Sequence, residues 1–163
     1  MPNQSPITIA PDFETRYPDS SARATECAMN LVFTADVLVK QVSRLLQQFE
    51  LTPASGLVLN MLADSPSPLP PNEIADRLII TRATVTGLLD SLERRGYVRR
   101  TPHPSDRRML LVEITQAGRE TANQYRPVIH RQQKIWFGSL DENEQQQLIS
   151  SLHSLQTSLI NFG

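Results

Sequence analysis

From about Ser20 to Glu50 neither proline nor glycine interrupts the chain. Ala28, Leu31, Ala35, Leu38, Val42, Leu45 and Phe49 recur at alternating spacings of three and four, which draws a heptad-like stripe along one face of a helix. Met29, Val32, Phe33, Val37, Val39 and Leu46 widen that stripe well past one face. A helix apolar over so much of its circumference needs cover from more than one side. A chain of 163 residues has little material to supply it, so the pattern predicts that a second chain does.

Thr52-Pro53 is an N-cap followed by a first-turn proline, and it opens a helix to about Asp64 with Leu57, Val58, Met61 and Leu62 facing inward. Ser65 to Pro71 is a proline-stiffened connector between elements. Asn72 then caps a short helix, Glu73 to about Leu78, with Ile74, Ala75 and Leu78 apolar. Ile79-Ile80 makes a turn and Thr81 caps the next helix, about Arg82 to Arg95. Its core face is Val85, Leu88, Leu89 and Leu92, and Gly96 stands where a left-handed residue ends a helix. Two short strands, about Tyr97–Thr101 and Met109–Ile114, flank the polar loop His103–Arg108. Thr115 caps a helix to about Gly138, with a kink expected at Pro127. Asp141 and Glu144 form a capping box for a last helix striped by Leu148, Leu152, Leu155 and Leu159. Residues 1–19, with Pro2, Pro6, Pro11 and Pro18, read as an arm that is either a loose terminus or a wrap around a partner subunit.

Composition narrows the class. A hydrophobic fraction of 39% supports a packed core, and a single cysteine excludes a disulfide framework or a multi-cysteine zinc site. No apolar run is long enough to span a bilayer, and the N-terminus lacks the apolar region of a secretory signal, so a cytoplasmic protein is expected. No nucleophile elbow, phosphate loop, zinc-helix motif or dinucleotide glycine pattern is present, and the three histidines are far apart in sequence. Catalysis and cofactors are therefore not expected. The net charge of −1 hides a polarity: six arginines (94, 95, 99, 100, 107, 108) face one acid, Asp106, between Arg94 and Arg108, whereas residues 141–163 hold three acids and no Lys or Arg.

Short helix, turn, longer helix and basic-tipped hairpin form, in that order, a helix-turn-helix followed by a wing. The outward face of the longer helix carries Arg82, Ala83, Thr86, Gly87 and Asp90. One long donor among small residues suits close approach to a major groove: Arg82 can fork onto guanine, and Thr86 or Ala83 can touch a thymine methyl or a phosphate. Thr81 and Thr84 begin a helix N-terminus that can offer N–H groups to phosphate. Gly87 costs ~1 kcal/mol relative to alanine inside a helix. Its presence on that face suggests a close neighbour, which is either DNA or another helix.

The stretch Arg82-Ala-Thr-Val-Thr-Gly-Leu-Leu-Asp-Ser-Leu-Glu-Arg-Arg-Gly-Tyr-Val-Arg-Arg100, then Pro104-Ser-Asp-Arg-Arg108, then Ile114-Thr-Gln-Ala-Gly118, resembles the MarR family of bacterial transcriptional regulators. The resemblance runs from about Ala22 to Leu159. It implies a mainly α fold with a small β-hairpin wing (α+β), in which residues 20–163 form one domain. Residues 20–50 and 116–163 would be dimerisation helices, and 52–115 the winged helix-turn-helix. It implies a homodimer on double-stranded DNA, by family default a repressor. The DNA-contacting set would be Thr81, Arg82, Ala83, Thr84, Thr86, Gly87, Arg99, Asp106, Arg107 and Arg108. Arg107 or Arg108 would enter the minor groove, with Asp106 orienting it by a salt bridge or serving only as a turn former. Family members commonly release DNA on binding a small aromatic or phenolic effector, here placed among Met29, Phe33, Met61 and Trp136. Others respond to thiol oxidation, for which Cys27 is the candidate, with an inert thiol as the alternative. A winged helix used only to bind protein is the remaining alternative.

Overall fold

The computed structural model describes residues 5–106 and 108–161. A short helix α1 (Phe13–Arg16) precedes the long α2 (Ala22–Gln47), then α3 (Pro53–Asp64), α4 (Pro71–Leu78) and α5 (Arg82–Arg94). Strands β1 (Val98–Pro102) and β2 (Leu110–Ile114) lead into α6 (Gln116–Trp136) and α7 (Glu142–Asn161).

Local chemistry sets most of these boundaries. Thr52, Thr81 and Thr115 each accept a hydrogen bond from the backbone N–H three residues on, at 3.1 Å in all three cases. At α7 the expected capping box is complete: Glu144 N–H donates to Asp141 Oδ1 at 2.9 Å and Asp141 N–H to Glu144 Oε2 at 2.8 Å. Helix α4 corrects the expected cap at Asn72. It starts at Pro71 with Pro70 outside it, and no side chain caps it, because the fixed φ of proline is itself suited to a first helical position. Helix α6 passes through Pro127 as one element.

Three helices end alike. The N–H of Leu51 reaches Leu46 O, that of Ile80 reaches Ala75 O, and that of Tyr97 reaches Leu92 O, each closing the wide turn of a Schellman motif. The residue before each is left-handed: Glu50 at φ 53°, Ile79 at 54° and Gly96 at 71°. Only the third is a glycine.

The wing pairs antiparallel in the register Val98↔Ile114 to Pro102↔Leu110. Leu69 adds a bridge on the other edge of β2, exchanging bonds of 2.9 and 2.8 Å with Val112. The proline connector is therefore pinned to the wing by a pairing that its sequence does not signal.

One core joins the reading unit. Leu46, Leu51, Val58, Leu59, Leu62, Leu69, Ile74, Val85, Leu89, Leu92, Val98, Val112, Ile114 and Tyr125 are all buried in it. In α3 the buried face is Ser55, Val58, Leu59 and Leu62, the i, i+3, i+4, i+7 set. The expected inward roles of Leu57 and Met61 are thus corrected: Leu57 is 54% exposed, and Met61 only borders the core. Tyr125 sits with its hydroxyl 2.8 Å from Gly56 O and 2.6 Å from Asn60 Oδ1, and burial pushes its phenol pKa up to about 12.

Residues 5–19 are not a loose terminus. The arm lies along its own α2: Ile7 N–H donates to Asn30 Oδ1 at 2.9 Å, Asn30 Nδ2 donates back to Ile7 O at 2.8 Å, and Ile9 N–H donates to Glu26 Oε1. Glu14 reaches across to accept the Ala22 N–H at the start of α2. Helix α7, by contrast, buries no residue, and α2 buries only Leu46. Val32 (69% exposed) and Leu159 (64%) stand open to solvent, as do Val39, Ile149 and Ile160.

Gly118 packs against the hairpin so closely that a Cβ there would collide with the Tyr97 carbonyl oxygen and stand 2.7 Å from Ile114 Cγ1. Gly118→Ala should destabilise the fold by about 1–3 kcal/mol, the usual result of overpacking. Urea denaturation checks this, and an unchanged midpoint would show that α6 does not approach Tyr97 and Ile114 as described.

Candidate nucleic-acid interface

The rotation of α5 is fixed from inside. Val85, Leu89 and Leu92 are buried, so Thr81, Arg82, Ala83, Thr84, Thr86 and Gly87 all emerge on the surface, as the sequence predicts. The small hydroxyls are held in place. The Thr81 and Thr84 hydroxyls lie 2.8 Å apart, and Thr86 Oγ1 donates to Arg82 O at 3.0 Å. Each hydroxyl still has capacity for an external partner. Arg82 makes no ion pair among the described residues. Around Gly87 nothing lies within 4 Å of where a Cβ would stand. Packing against another helix of the same chain is thus excluded as the reason for the glycine, and the exposed face keeps an open notch.

The arginine-rich segment divides into structural and available charges. Arg100 Nη1 sits 2.7 Å from Asp90 Oδ1 and 2.8 Å from Glu93 Oε2, and the Arg100 N–H donates to Glu93 Oε1 at 3.1 Å. This ties β1 to the recognition helix. Arg95 donates to both the backbone carbonyl and the carboxylate of Glu50 and lies 5.4 Å from the Tyr97 ring centroid. Arg99 pairs with its cross-strand partner Glu113 at 2.6 Å, and that hydrogen bond raises its pKa further above the ordinary guanidinium value. Three of the six arginines therefore face acids contributed by other segments, and Arg99, assigned to DNA from sequence, has part of its charge met inside the wing. Arg108 is exposed at the hairpin tip, while Arg107 lies outside the described residues.

Asp106 behaves as a turn former toward Arg108. Its Oδ1 accepts the Arg108 backbone N–H at 3.0 Å and its carbonyl accepts the Met109 N–H, with no ion pair to the Arg108 guanidinium. The expected orienting salt bridge is corrected for Arg108, because the tight turn draws the carboxylate onto backbone. His103 Nδ1 lies 3.2 Å from the Ser105 N–H and 3.1 Å from its Oγ, so it shapes the same loop.

The effector residues expected from sequence stand outside the apolar cavity between the same helices. A cavity of about 240 Å³ opens between α2, α3 and α6, walled by Leu38, Val42, Leu57, Ile129 and Tyr125, with Asn60, Arg126 and His130 at its rim. None of Met29, Phe33, Met61 or Trp136 lines it. Phe33 instead borders a shallow cleft under the arm with Ile7 and Asn30. Arg126 is bound on several sides, to Asn60 Oδ1, to Asn60 O and to both oxygens of Asp64. Cys27 is exposed on α2, and Arg23, the cation nearest in sequence, pairs with Glu26 at 3.4 Å.

Sequence reasoning missed the arginines that position rather than contact, and missed Asn60, Tyr125 and Arg126. Arg100 was visible in the basic run. Its partners Asp90 and Glu93 offered a signal, since they lie three apart on one side of the preceding helix. Nothing in sequence paired Asn60 with residues more than sixty positions away.

A family model described as MarR family matches residues 49–109. The HTH-type transcriptional repressor YetL of Bacillus subtilis is 44% identical over 59 residues, which cover 36% of this chain and 35% of that protein. The uncharacterised HTH-type transcriptional regulator YkoM of the same organism is 30% identical over 128 residues, covering 76% of this chain and 82% of its own length. Among solved structures, MepR of Staphylococcus aureus in complex with DNA superposes with a TM-score of 0.76 at 23% identity, over 80% of this chain and 96% of that one. With YkoM 30% identical over 76% of this chain and the same fold recurring in MepR, this chain belongs to the MarR family of winged-helix transcriptional regulators.

Proposed function

We propose that the chain acts as a homodimer that binds a pseudo-palindromic operator, represses from it, and lets go when a small apolar effector enters the α2–α3–α6 cavity. The observation that carries the reading is the exposed face of α5: an arginine without an ion pair among the described residues, small residues and an open notch at Gly87, beside a hairpin tipped by Arg108. Two such faces related by a twofold read half-sites ~10 bp apart or a multiple of it. The name of YetL, a transcriptional repressor, and the DNA complex of MepR support this reading by kinship. The second copy would cover the open apolar faces of α2 and α7. The apolar walls of the cavity suit a hydrophobic effector, and Asn60 and Tyr125, which line it, also brace α3 against α6. A ligand wedged there would push on the helix that leads, through Leu69, to the wing.

Binding to the duplex flanking its own gene, measured across salt, tests the reading. The logarithm of affinity should fall with log salt at about −0.9 per phosphate neutralised. A winged helix that docks only protein would leave that duplex unbound.

Three substitutions should separate the roles of the face. Arg82→Ala should flatten preference at one base pair, at about 1–3 kcal/mol, with other positions unchanged. Arg108→Ala should weaken all duplexes alike and lower the salt slope by about 1. Gly87→Ala should stabilise the free protein by up to ~1 kcal/mol while weakening operator binding, because helix propensity and groove access pull in opposite directions. Thermal melts and titrations against operator variants read all three. If affinity survives every one of them, the face is wrongly assigned.

A further inference from the structure

We infer that the ion pair between Glu50 and Arg95 is a positioning clasp that sets the angle of the recognition helix on the dimerisation helix, and thereby the operator spacing the protein accepts. The inference rests on the dimeric, DNA-reading function proposed above.

Glu50 is the left-handed residue that ends α2, and Arg95 is the C-cap of α5. A glutamate at φ 53° sits where glycine is favoured. Its side chain is 81% exposed, so burial does not offset the strain. What it gains is Arg95. One guanidinium takes both the Glu50 carbonyl oxygen, turned outward by the left-handed backbone, and the Glu50 carboxylate. The same guanidinium lies 5.4 Å from the centroid of the Tyr97 ring, which is fixed in turn by the Gly96 turn and by the bond from Thr115 N–H to Tyr97 O at 3.0 Å. The helix that leads to the partner and the helix that reads DNA are thus joined end to end by one fork. Leu46 and Leu51, at the end of α2, are buried in the same core as Leu89 and Leu92 of α5, and the fork restrains the rotation of one end on the other.

Leverage makes a small rotation matter. Helix α5 has 13 residues, so Arg82 stands about 20 Å from the clasp. A turn of about 10° there moves the reading end by about 3.4 Å, one base-pair step. In a dimer the two displacements add.

The test uses the full chain and an operator that wild type selects from a random duplex pool, with derivatives in which one or two base pairs are added or removed between half-sites. Melting temperature serves as the control for folding. Glu50→Gly relieves the left-handed strain, so it should melt at or above the wild-type temperature. It also removes a negative charge, so general electrostatics alone would tighten binding to every duplex. The clasp predicts the opposite sign: affinity for the selected operator falls about fivefold, the factor that corresponds to about 1 kcal/mol for a surface ion pair, and the penalty for altered spacing shrinks. Arg95→Gln should move the spacing profile in the same direction. If both variants match the wild-type spacing profile, or if Glu50→Gly simply binds every duplex more tightly, the clasp is refuted while the DNA-reading function stands. If wild type selects no operator, or is indifferent to spacing, the dimeric reading itself fails and takes the inference with it.

Discussion

An uncovered apolar face governs this molecule. Helix α7 is 20 residues long and rich in Gln and Ser, and it buries none of its residues within the chain. An isolated helix of that length is marginal in water, and its stability has to come from packing its apolar face. The leucines at 148, 155 and 159, with Ile149 and Ile160, supply such a face, and Met29, Val32 and Val39 on α2 supply another. A second copy of the chain is the cover that we propose for both. The reading unit needs no such help. Its core, from Leu46 to Tyr125, closes on itself and decides which face of α5 turns outward.

Around that core, arginine does two different jobs. Arg95, Arg100 and Arg126 hold elements together: α5 to the end of α2, β1 to α5, and α6 to the last turn of α3. Each is only partly exposed and meets an acid from elsewhere in the chain. Arg82 and Arg108 stand at the surface of the recognition helix and the hairpin tip. Exposed ion pairs contribute little stability one at a time. Their use here is angular, because they fix how recognition helix and wing are presented together. A charge sum along the sequence cannot make this division, since the partners Glu50 and Glu113 lie outside the basic run.

What was legible in the sequence was local. The threonine caps at 52, 81 and 115, the capping box at Asp141 and Glu144, and the buried face of α5 all depend on residues a few positions apart, and the structure agrees with them. The family motifs placed the recognition helix and the wing. The misreadings have physical causes. Asn72 reads as a cap although Pro71 itself starts α4; the helix stops near Glu50 and at Ile79-Ile80 are legible where they stand, but their left-handed conformation has no signal in the residue types. Leu69 pairs with Val112 through backbone alone, which side-chain patterns do not encode. The four apolar residues expected around an effector lie on α2, α3 and α6 but do not line the cavity between those helices, because hydrophobicity says that a residue packs and not against what.

Sedimentation equilibrium of the 163-residue chain, free of DNA and over a wide concentration range, tests the central claim most directly. The account predicts a mass twice that of the 18.3 kDa chain, held down to low concentration because the apolar faces of α2 and α7 leave the separated chain poorly covered. A particle with the mass of one chain, with α7 still helical, would contradict it.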